Sequence, residues 1–279
     1  MSCLVKIRAL KEQLSPNEKK IARFILDNAA LIRDYSSQNL AASVGVSQSS
    51  VVKFSQKLGY RGFIDLKLAI HEAVLRGDQH GDTAPAVDSG RHDKPSAAEA
   101  LFRIKSQALQ STMELNDEDC LLKAAEVLMQ SRRIQIIALG SGSLVARNFA
   151  SVLIQIGKSV VAEVDTYIQL SSVATLGPGD AVFLISFAGE SPRMLQIVKQ
   201  AKKAGVTIIS LTGFSANPIR ALADVELYCV SRLGSYDIPQ IISTTSQQFV
   251  VDLLFSQILH SDQRAQELMS LSRQAVENI

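Results

Sequence analysis

Five short runs rich in apolar and β-branched residues recur through the second half of the sequence, with helical patterns between them. The runs cover residues 134–139, 160–164, 181–186, 206–211 and 225–230. Parallel strands need a long crossover, usually a helix, and strands covered on both faces are apolar along nearly their whole length. The pattern therefore predicts an α/β domain with a five-stranded parallel sheet sandwiched by helices.

The sequence before residue 77 has a purely helical pattern. Ser15 is followed by Pro16 and, three positions after the serine, by Glu18, which is the signature of a capped helix start. Residues 77–96 differ sharply, because they contain three glycines, two prolines and almost nothing apolar to bury, as is typical of a linker. We therefore predict an all-α domain over 1–76, a linker over 77–96 and the α/β domain over 97–279.

Charge is divided unevenly between these parts. Residues 1–76 hold twelve Lys and Arg against six Asp and Glu, a net charge of +6, and the remainder holds seventeen against twenty-one, a net charge of −4. This division favours a module that binds a polyanion joined to a neutral or acidic module. A solvated basic surface would give the same count.

Composition favours a globular protein of the cytoplasm. Hydrophobic residues make up 47% of the chain and no apolar run approaches the thickness of a bilayer, so no membrane partner is expected. The basic start of the chain is not followed by the apolar core of a signal peptide. Cys3, Cys120 and Cys229 are far apart and have no metal-ligand spacing, so they are predicted to be reduced thiols. Neither a metal site nor a cofactor is predicted.

Residues 36–57 combine many serines with a regular set of apolar positions. With Gly45 at a turn between two short helices, Leu40 and Ala41 fall on one apolar face before it, and Val51 and Phe54 fall on another after it. Glycine can adopt the positive φ that a tight turn needs. The arrangement predicts a helix-turn-helix.

The polar residues around the second of these helices suit DNA. Short hydroxyls allow a capped helix end to approach the phosphate backbone, and glutamine can bond two atoms of an adenine edge in the major groove. Tyr60 is a further candidate for a phosphate contact. The predicted DNA contacts are Ser47, Gln48, Ser49, Lys53, Gln56, Lys57 and Arg61. Alternatively, Gly45 ends an ordinary helix and these residues form a solvated face, but the apolar register, the cap and the charge together favour DNA binding.

Two loops that follow predicted strands carry hydroxyls and glycines. Residues 140–143 read Gly-Ser-Gly-Ser before a helical pattern, and residues 186–192 read Ser-Phe-Ala-Gly-Glu-Ser-Pro before another. Ligands of open α/β sheets bind at the carboxyl ends of the strands, where helix starts favour anions. The loops are therefore predicted to hold one phosphate between them. The first loop lacks the third glycine of a dinucleotide site and the lysine of a nucleoside triphosphate site, and taken alone it could be a tight structural turn.

At this point a family resemblance is evident. Residues 15–18, 36–54 and 57–63 resemble the DNA-binding domain of the RpiR family of bacterial regulators, and residues 139–223 resemble a sugar isomerase (SIS) domain. The resemblance implies a homodimeric or tetrameric transcription factor, most similar to regulators of amino-sugar catabolism, that binds double-stranded operator DNA and senses a phosphosugar effector. The implied phosphosugar contacts are Ser141, Gly142, Ser143, Ser186, Gly189, Glu190, Ser191 and Glu163. Relief of repression by the ligand is the expected sense of regulation, with activation left open.

The second loop departs from the family pattern, Ser-x-Ser-Gly-x-Thr-x-Glu, at three positions. Ala188 replaces the middle serine, Ser191 stands for threonine and Arg193 stands for the glutamate. One phosphate-binding hydroxyl is therefore missing, which changes either the affinity or the ligand.

An isomerase with an accessory nucleic-acid-binding domain is the alternative function. SIS domains also occur as isomerases, which need a base to move a proton between adjacent sugar carbons. Glu163, Asp165 and Glu190 could supply a carboxylate base, but no histidine occurs between residues 93 and 259. Because a metabolic isomerase has little use for a helix-turn-helix, we expect binding without turnover, and no enzymatic activity.

Overall fold

The structure is a computed structural model that describes residues 3–75, 96–230 and 239–277. It divides into two units, Met1–Arg103 and Ile104–Ile279. The linker predicted over 77–96 lies outside the described residues except for Ser96. Each unit is described by itself.

The described part of the first unit, up to Leu75, is entirely helical, as predicted. Its helices are α1 (Cys3–Leu10), α2 (Pro16–Asp27), α3 (Ser37–Val44), α4 (Gln48–Lys57) and α5 (Phe63–Leu75), with short 3₁₀ helices at Lys11–Gln13 and Ala29–Asp34. Ile21, Leu40, Phe54 and Leu66 come from four different helices, and all are fully buried. Burying one such side chain stabilises the folded state by about 1.5–3 kcal/mol. This packing holds the short helices together, because helices of this length are only marginally stable on their own.

The start of α2 confirms the predicted capping box. The backbone N–H of Glu18 donates to Ser15 Oγ over 3.5 Å, and the backbone N–H of Ser15 donates to Glu18 Oε2 over 2.7 Å. Pro16 occupies the first helical position, where its missing N–H costs nothing. The carboxylate of Glu18 is thereby fixed at the amino end of α2.

The second unit contains the sheet and the remaining helices. In chain order, with α6 beginning ahead of the division between the units, the elements are α6 (Ala97–Leu115), α7 (Glu118–Gln130), β1 (Ile134–Ala138), α8 (Gly142–Gln155), β2 (Val160–Val161), α9 (Thr166–Val173), β3 (Ala181–Ser186), α10 (Pro192–Lys203), β4 (Thr207–Thr212), a 3₁₀ turn (Arg220–Leu222), β5 (Val225–Tyr228), α11 (Pro239–Ser261) and α12 (Gln263–Glu277).

The sheet has five parallel strands in the order β2-β1-β3-β4-β5, which confirms the predicted fold class. Apolar clusters cover both of its faces, one around Phe149 and Phe183, whose rings meet edge to face at 5.3 Å, and the other around Ile137 and Met194. Two-sided burial explains why these strands are apolar along their whole length. No helix within the described ranges is both long enough and apolar enough to cross a bilayer.

The strand β2 is shorter than its sequence predicts. The apolar run covers residues 160–164, but only Val160 and Val161 pair with β1. The carbonyl of Glu163 instead accepts a hydrogen bond from the side chain of Gln169 over 2.7 Å. The chain therefore leaves the sheet edge early and brings residues 163–166 toward the carboxyl end of β1.

Candidate functional site

The turn between α3 and α4 has the geometry that the sequence predicts. Gly45 lies in the left-handed region with φ 71° and ψ 43°, and the N–H of Val46 donates to the carbonyl of Ala41 over 3.0 Å. A Cβ at Gly45 would meet nothing within 4 Å, so the backbone conformation and not lack of space calls for glycine.

Serine hydroxyls organise the start of α4. Ser47 Oγ accepts the backbone N–H of Ser50 over 3.2 Å, and the hydroxyls of Ser49 and Ser50 lie 2.9 Å and 2.8 Å from it. The side-chain amide of Gln48 donates to Ser37 Oγ over 2.9 Å and so joins α4 to α3. Gln48 remains exposed, and the carboxamide predicted to contact a base is oriented by the preceding helix.

Helix α4 has a packed face and an exposed polar face, and the packed face includes one polar residue, Ser55, whose hydroxyl donates to the carbonyl of Val51 over 2.9 Å. Val51 and Phe54 are fully buried, whereas Lys53 is exposed and makes no ion pair with any residue in the described ranges. The predicted DNA contacts Ser47, Gln48, Ser49, Lys53, Gln56, Lys57 and Arg61 are all exposed. The sequence pattern thus separates a packed face from a polar face correctly.

Lys57 has a partner that the sequence did not reveal. Its Nζ lies 2.8 Å from Glu18 Oε2, although the two residues are 39 positions apart. Burial alone would raise the pKa of Glu18, but the hydrogen bonds from Lys57 and Ser15 lower it overall. The carboxylate is therefore held ionised beside the carboxyl end of α4.

Tyr60 is less available for a phosphate than its position in the sequence suggests. The ring is half-buried and Lys6 Nζ lies 5.2 Å from its centroid. Burial raises the pKa of Tyr60 to about 12. The ring therefore contributes to packing within the first unit, where Lys6 contacts its face.

In the second unit, the loop after β1 contains Gly140, whose backbone is left-handed, and Gly142, which lies close to the ends of two strands. Gly140 has φ 60°, and a Cβ at Gly142 would lie 3.5 Å from Ala138 Cβ and 3.6 Å from Ile185 Cγ2. Ser141 is exposed, and Ser143 Oγ donates to the carbonyl of Gly140 over 2.7 Å. The start of α8 therefore lies close over the ends of β1 and β3 with two hydroxyls beside it.

The loop after β3 lies next to this first loop, because β1 and β3 are neighbours and Ala138 is in register with Ile185. Ser186 Oγ accepts the N–H of Gly189 over 3.3 Å, and Gly189 has φ 66°. The structure thus brings the ends of two parallel strands and two helix starts to one edge of the sheet. Ser186 and Ser191 are half-buried, Gly189 is buried and Glu190 is exposed.

Asn217 supports the second loop from behind and was not among the predicted site residues. Its side chain donates to Thr212 Oγ1 over 3.2 Å and accepts the N–H of Arg220 over 2.9 Å. An added Cβ at Gly189 would lie only 2.0 Å from Asn217 Oδ1, and the N–H of Ile219 donates to the carbonyl of Gly189. The chain after β4 therefore fixes the position of the loop after β3.

Gln169 has a comparable role at the other side of the first loop. It is fully buried, and its side-chain amide donates to the carbonyls of Ala138 and Glu163 over 3.3 Å and 2.7 Å. This arrangement places the backbone of Glu163 beside the end of β1. A single glutamine in an apolar helix gives no sequence signal for such a role.

The acidic and basic groups around these loops are mostly at the surface. Glu163, Glu190, Arg147 and Arg193 are exposed. Asp165 caps α9 by accepting the N–H of Ile168 over 3.0 Å. Within the ranges that the structure describes, no group of three or more His, Cys, Asp or Glu could hold a metal ion.

His260 lies far along α11 in an ordinary helical environment. Its Nδ1 lies 2.8 Å from the carbonyl of Ser256, one turn earlier, and the side chain is exposed. The geometry gives this imidazole no contact with the two serine loops.

Comparisons with known proteins match both units. Residues 1–76 match the family model of the helix-turn-helix domain of the rpiR family, and residues 127–257 match that of the SIS domain. Over 264 residues, which are 94% of this chain and 93% of the relative, the chain is 33% identical to YfhH of Escherichia coli (strain K12), described as an uncharacterised HTH-type transcriptional regulator.

Two solved structures share the fold. The NanR protein of Vibrio vulnificus, complexed with ManNAc-6P, is 24% identical to this chain and has a TM-score of 0.61. The match covers 99% of this chain and 98% of the NanR chain. The sugar isomerase domain of an RpiR transcription factor from Sphaerobacter thermophilus is 20% identical, covers 66% of this chain with its full length and has a TM-score of 0.58.

Proposed function

The chain belongs to the RpiR family of helix-turn-helix transcriptional regulators with a SIS domain, and from this premise we propose that it is a repressor of sugar or amino-sugar catabolism. A phosphosugar bound in the SIS domain would weaken its binding to operator DNA. The observation that carries the proposal is the meeting of two loops with hydroxyls and glycines at the carboxyl ends of β1 and β3. The protein would act in the cytoplasm, where phosphosugars and chromosomal DNA are both present.

The two loops supply the groups that a phosphate monoester needs. Hydroxyls of Ser141, Ser186 and Ser191 can donate to phosphate oxygens, and Ser143 can do so when its hydroxyl turns away from the carbonyl of Gly140, to which it donates in this structure. The starts of α8 and α10 favour an anion. Nearby Glu163 and Glu190 can accept from sugar hydroxyls. The ManNAc-6P bound by NanR supports a phosphorylated amino sugar as the class of effector.

We predict that Ser141→Ala with Ser143→Ala weakens ManNAc-6P binding at least about tenfold, because hydrogen bonds to a charged group are each worth about 1.5–3 kcal/mol. Thermal denaturation with and without ManNAc-6P measures the loss, since a ligand of the folded state raises its stability. Ser151→Ala is the control, because Ser151 is an exposed serine of the same helix that bonds only within it.

Binding of several unphosphorylated and phosphorylated sugars with equal strength would contradict a phosphate site at these loops. Interconversion of ManNAc-6P or of other hexose phosphates by the purified protein, followed by NMR, would instead favour the isomerase. Exposed Glu163 and Glu190 are the carboxylates available for such an activity, since Asp165 already accepts the N–H of Ile168 as the cap of α9.

The first unit is proposed to bind DNA through α4. A homodimer or tetramer would present two copies of this helix about one DNA turn apart to an inverted repeat. The phosphosugar would favour a different arrangement of subunits and would weaken DNA binding by linkage. Operator binding that grows stronger as ManNAc-6P is added in a gel-shift titration would reverse the proposed sense of regulation.

Lys53 and Gln48 should differ in what they contribute to DNA binding. Lys53→Ala is expected to weaken binding to all sequences about equally and to reduce the salt slope by about one, because a lysine on phosphate releases about one counterion. Gln48→Ala is expected to lower discrimination at one base pair by about 1–3 kcal/mol. Binding to a randomised library of duplexes at several salt concentrations measures both changes. A loss of sequence preference in the lysine variant would contradict the assignment.

A further inference from the structure

Lys57 lies on the polar face of α4 but is not available in the way that Lys53 is. The two lysines are four positions apart, so they project from the same side of the helix. Lys57 nevertheless has the carboxylate of Glu18 at 2.8 Å, whereas Lys53 pairs with no residue in the described part of the chain. One of the two cations on this face therefore carries its own counterion.

The carboxylate of Glu18 is held firmly for a residue at the surface. Its Oε2 accepts the N–H of Ser15 over 2.7 Å as well as the ammonium of Lys57, and its side chain is only 18% exposed. The capping box of α2 already restricts the side chain of Glu18, so its ion pair with Lys57 costs little additional side-chain entropy at the glutamate. The carboxylate of Glu18 thus lies where a DNA phosphate would otherwise contact the ammonium group of Lys57.

A DNA phosphate that approaches Lys57 must compete with this carboxylate. We propose that Glu18 is an affinity-setting residue that competes with DNA phosphates for Lys57 and so limits sequence-independent DNA binding. The inference rests on the proposed role of α4 in DNA binding. A limit of this kind has a clear use, because non-specific sites in a chromosome greatly outnumber operators and are bound almost wholly through phosphates.

The test is Glu18→Gln in the full-length protein. Glutamine can also accept the N–H of Ser15 in a capping box, so the change removes the charge and keeps the helix start. Asp27→Asn is the matched control, because it removes one negative charge from α2 at a residue that pairs with Arg23 at 3.6 Å. Melting curves confirm that each variant folds like the unmodified protein.

Fluorescence anisotropy with a random-sequence duplex of about 30 base pairs measures the effect at salt concentrations between about 0.05 and 0.3 M. E18Q is expected to strengthen binding about three- to tenfold near 0.1 M salt and to steepen the salt slope by about 0.9, as for one added phosphate contact. When E18Q is combined with Lys57→Ala and compared with Lys57→Ala alone, the gain should fall to the small one that removal of any negative charge from α2 gives. D27N should give a smaller gain that persists without Lys57.

Unchanged or weaker binding by E18Q would overturn the inference and would indicate that the pair only orients α4 on α2. The proposed function fails separately: if the unmodified protein does not bind the duplex and Lys53→Ala changes nothing, both ideas fall. If Lys53→Ala weakens binding while E18Q leaves it unchanged, only the role of Glu18 is excluded.

Discussion

Replacement of Phe54 by alanine should lower the free energy of unfolding of the first unit by about 3–5 kcal/mol. The ring is fully buried, and α4 packs on α2, α3 and α5. Removing it loses the apolar contacts and leaves a cavity that the short helices fill only partly. Because a small domain has about 5–15 kcal/mol of stability in all, this loss removes a large share of it, and the variant should unfold and lose DNA binding at a lower temperature than the unmodified protein.

Chemical denaturation followed by circular dichroism measures this change, and DNA binding of the same samples measures its consequence. Gln56→Ala is a matched control for stability on the same helix, since Gln56 is exposed and should change stability by no more than about 0.5 kcal/mol, whereas its DNA binding can fall because Gln56 is a predicted DNA contact. If Phe54→Ala and Gln56→Ala were equally stable, α4 could not be packed as described.

Gly189→Ala should abolish measurable binding of ManNAc-6P while leaving DNA binding intact. The new Cβ would lie 2.0 Å from Asn217 Oδ1, and alanine would have to adopt φ 66°, which costs about 1–2 kcal/mol. Both effects displace the loop that carries Ser186 and Ser191. We expect an affinity loss of at least about a hundredfold, or roughly 2.7 kcal/mol, read as loss of the thermal shift.

Two further variants separate the steric cause from the conformational one. Gly189→Ala with Asn217→Ala removes the overlap but not the positive φ, so the added loss relative to Asn217→Ala alone, which itself lacks the hydrogen bonds of Asn217, should be smaller than that of Gly189→Ala in the unmodified protein. Gly177→Ala is a neutral control, because a Cβ there meets nothing within 4 Å and the backbone is not in the left-handed region. Full binding by the single Gly189 variant would show that the loop after β3 takes no part in the site.

Sequence signals that act over a few residues predicted the fold closely. The capping box at Ser15, the turn at Gly45 and the cap at Ser47 are local backbone requirements, and all three are present in the structure. The five apolar runs predicted the sheet because two-sided burial leaves the same pattern in every parallel strand.

Contacts between residues distant in sequence could not be predicted in this way. Gln169, Asn217 and the pair of Glu18 with Lys57 act through partners on other elements, and no spacing rule connects them. The short β2 has the same origin, because a side chain of α9 takes the carbonyl that a longer strand would have used. Each of these interactions depends on tertiary packing that the sequence pattern does not encode.

The paired strand residues end at Ala138 in β1 and at Ser186 in β3, just before the two serine loops, although the N–H of Gly213 still donates to the carbonyl of Phe187 over 2.8 Å. The side chains of the loop residues beyond those positions take no part in the backbone hydrogen bonds that hold the strands together. At exposed positions of these loops, such as Ala188, single substitutions would therefore alter the proposed site with little penalty in folding, whereas buried Gly189 is constrained. A shared scaffold can in this way diversify into receptors for many different metabolites.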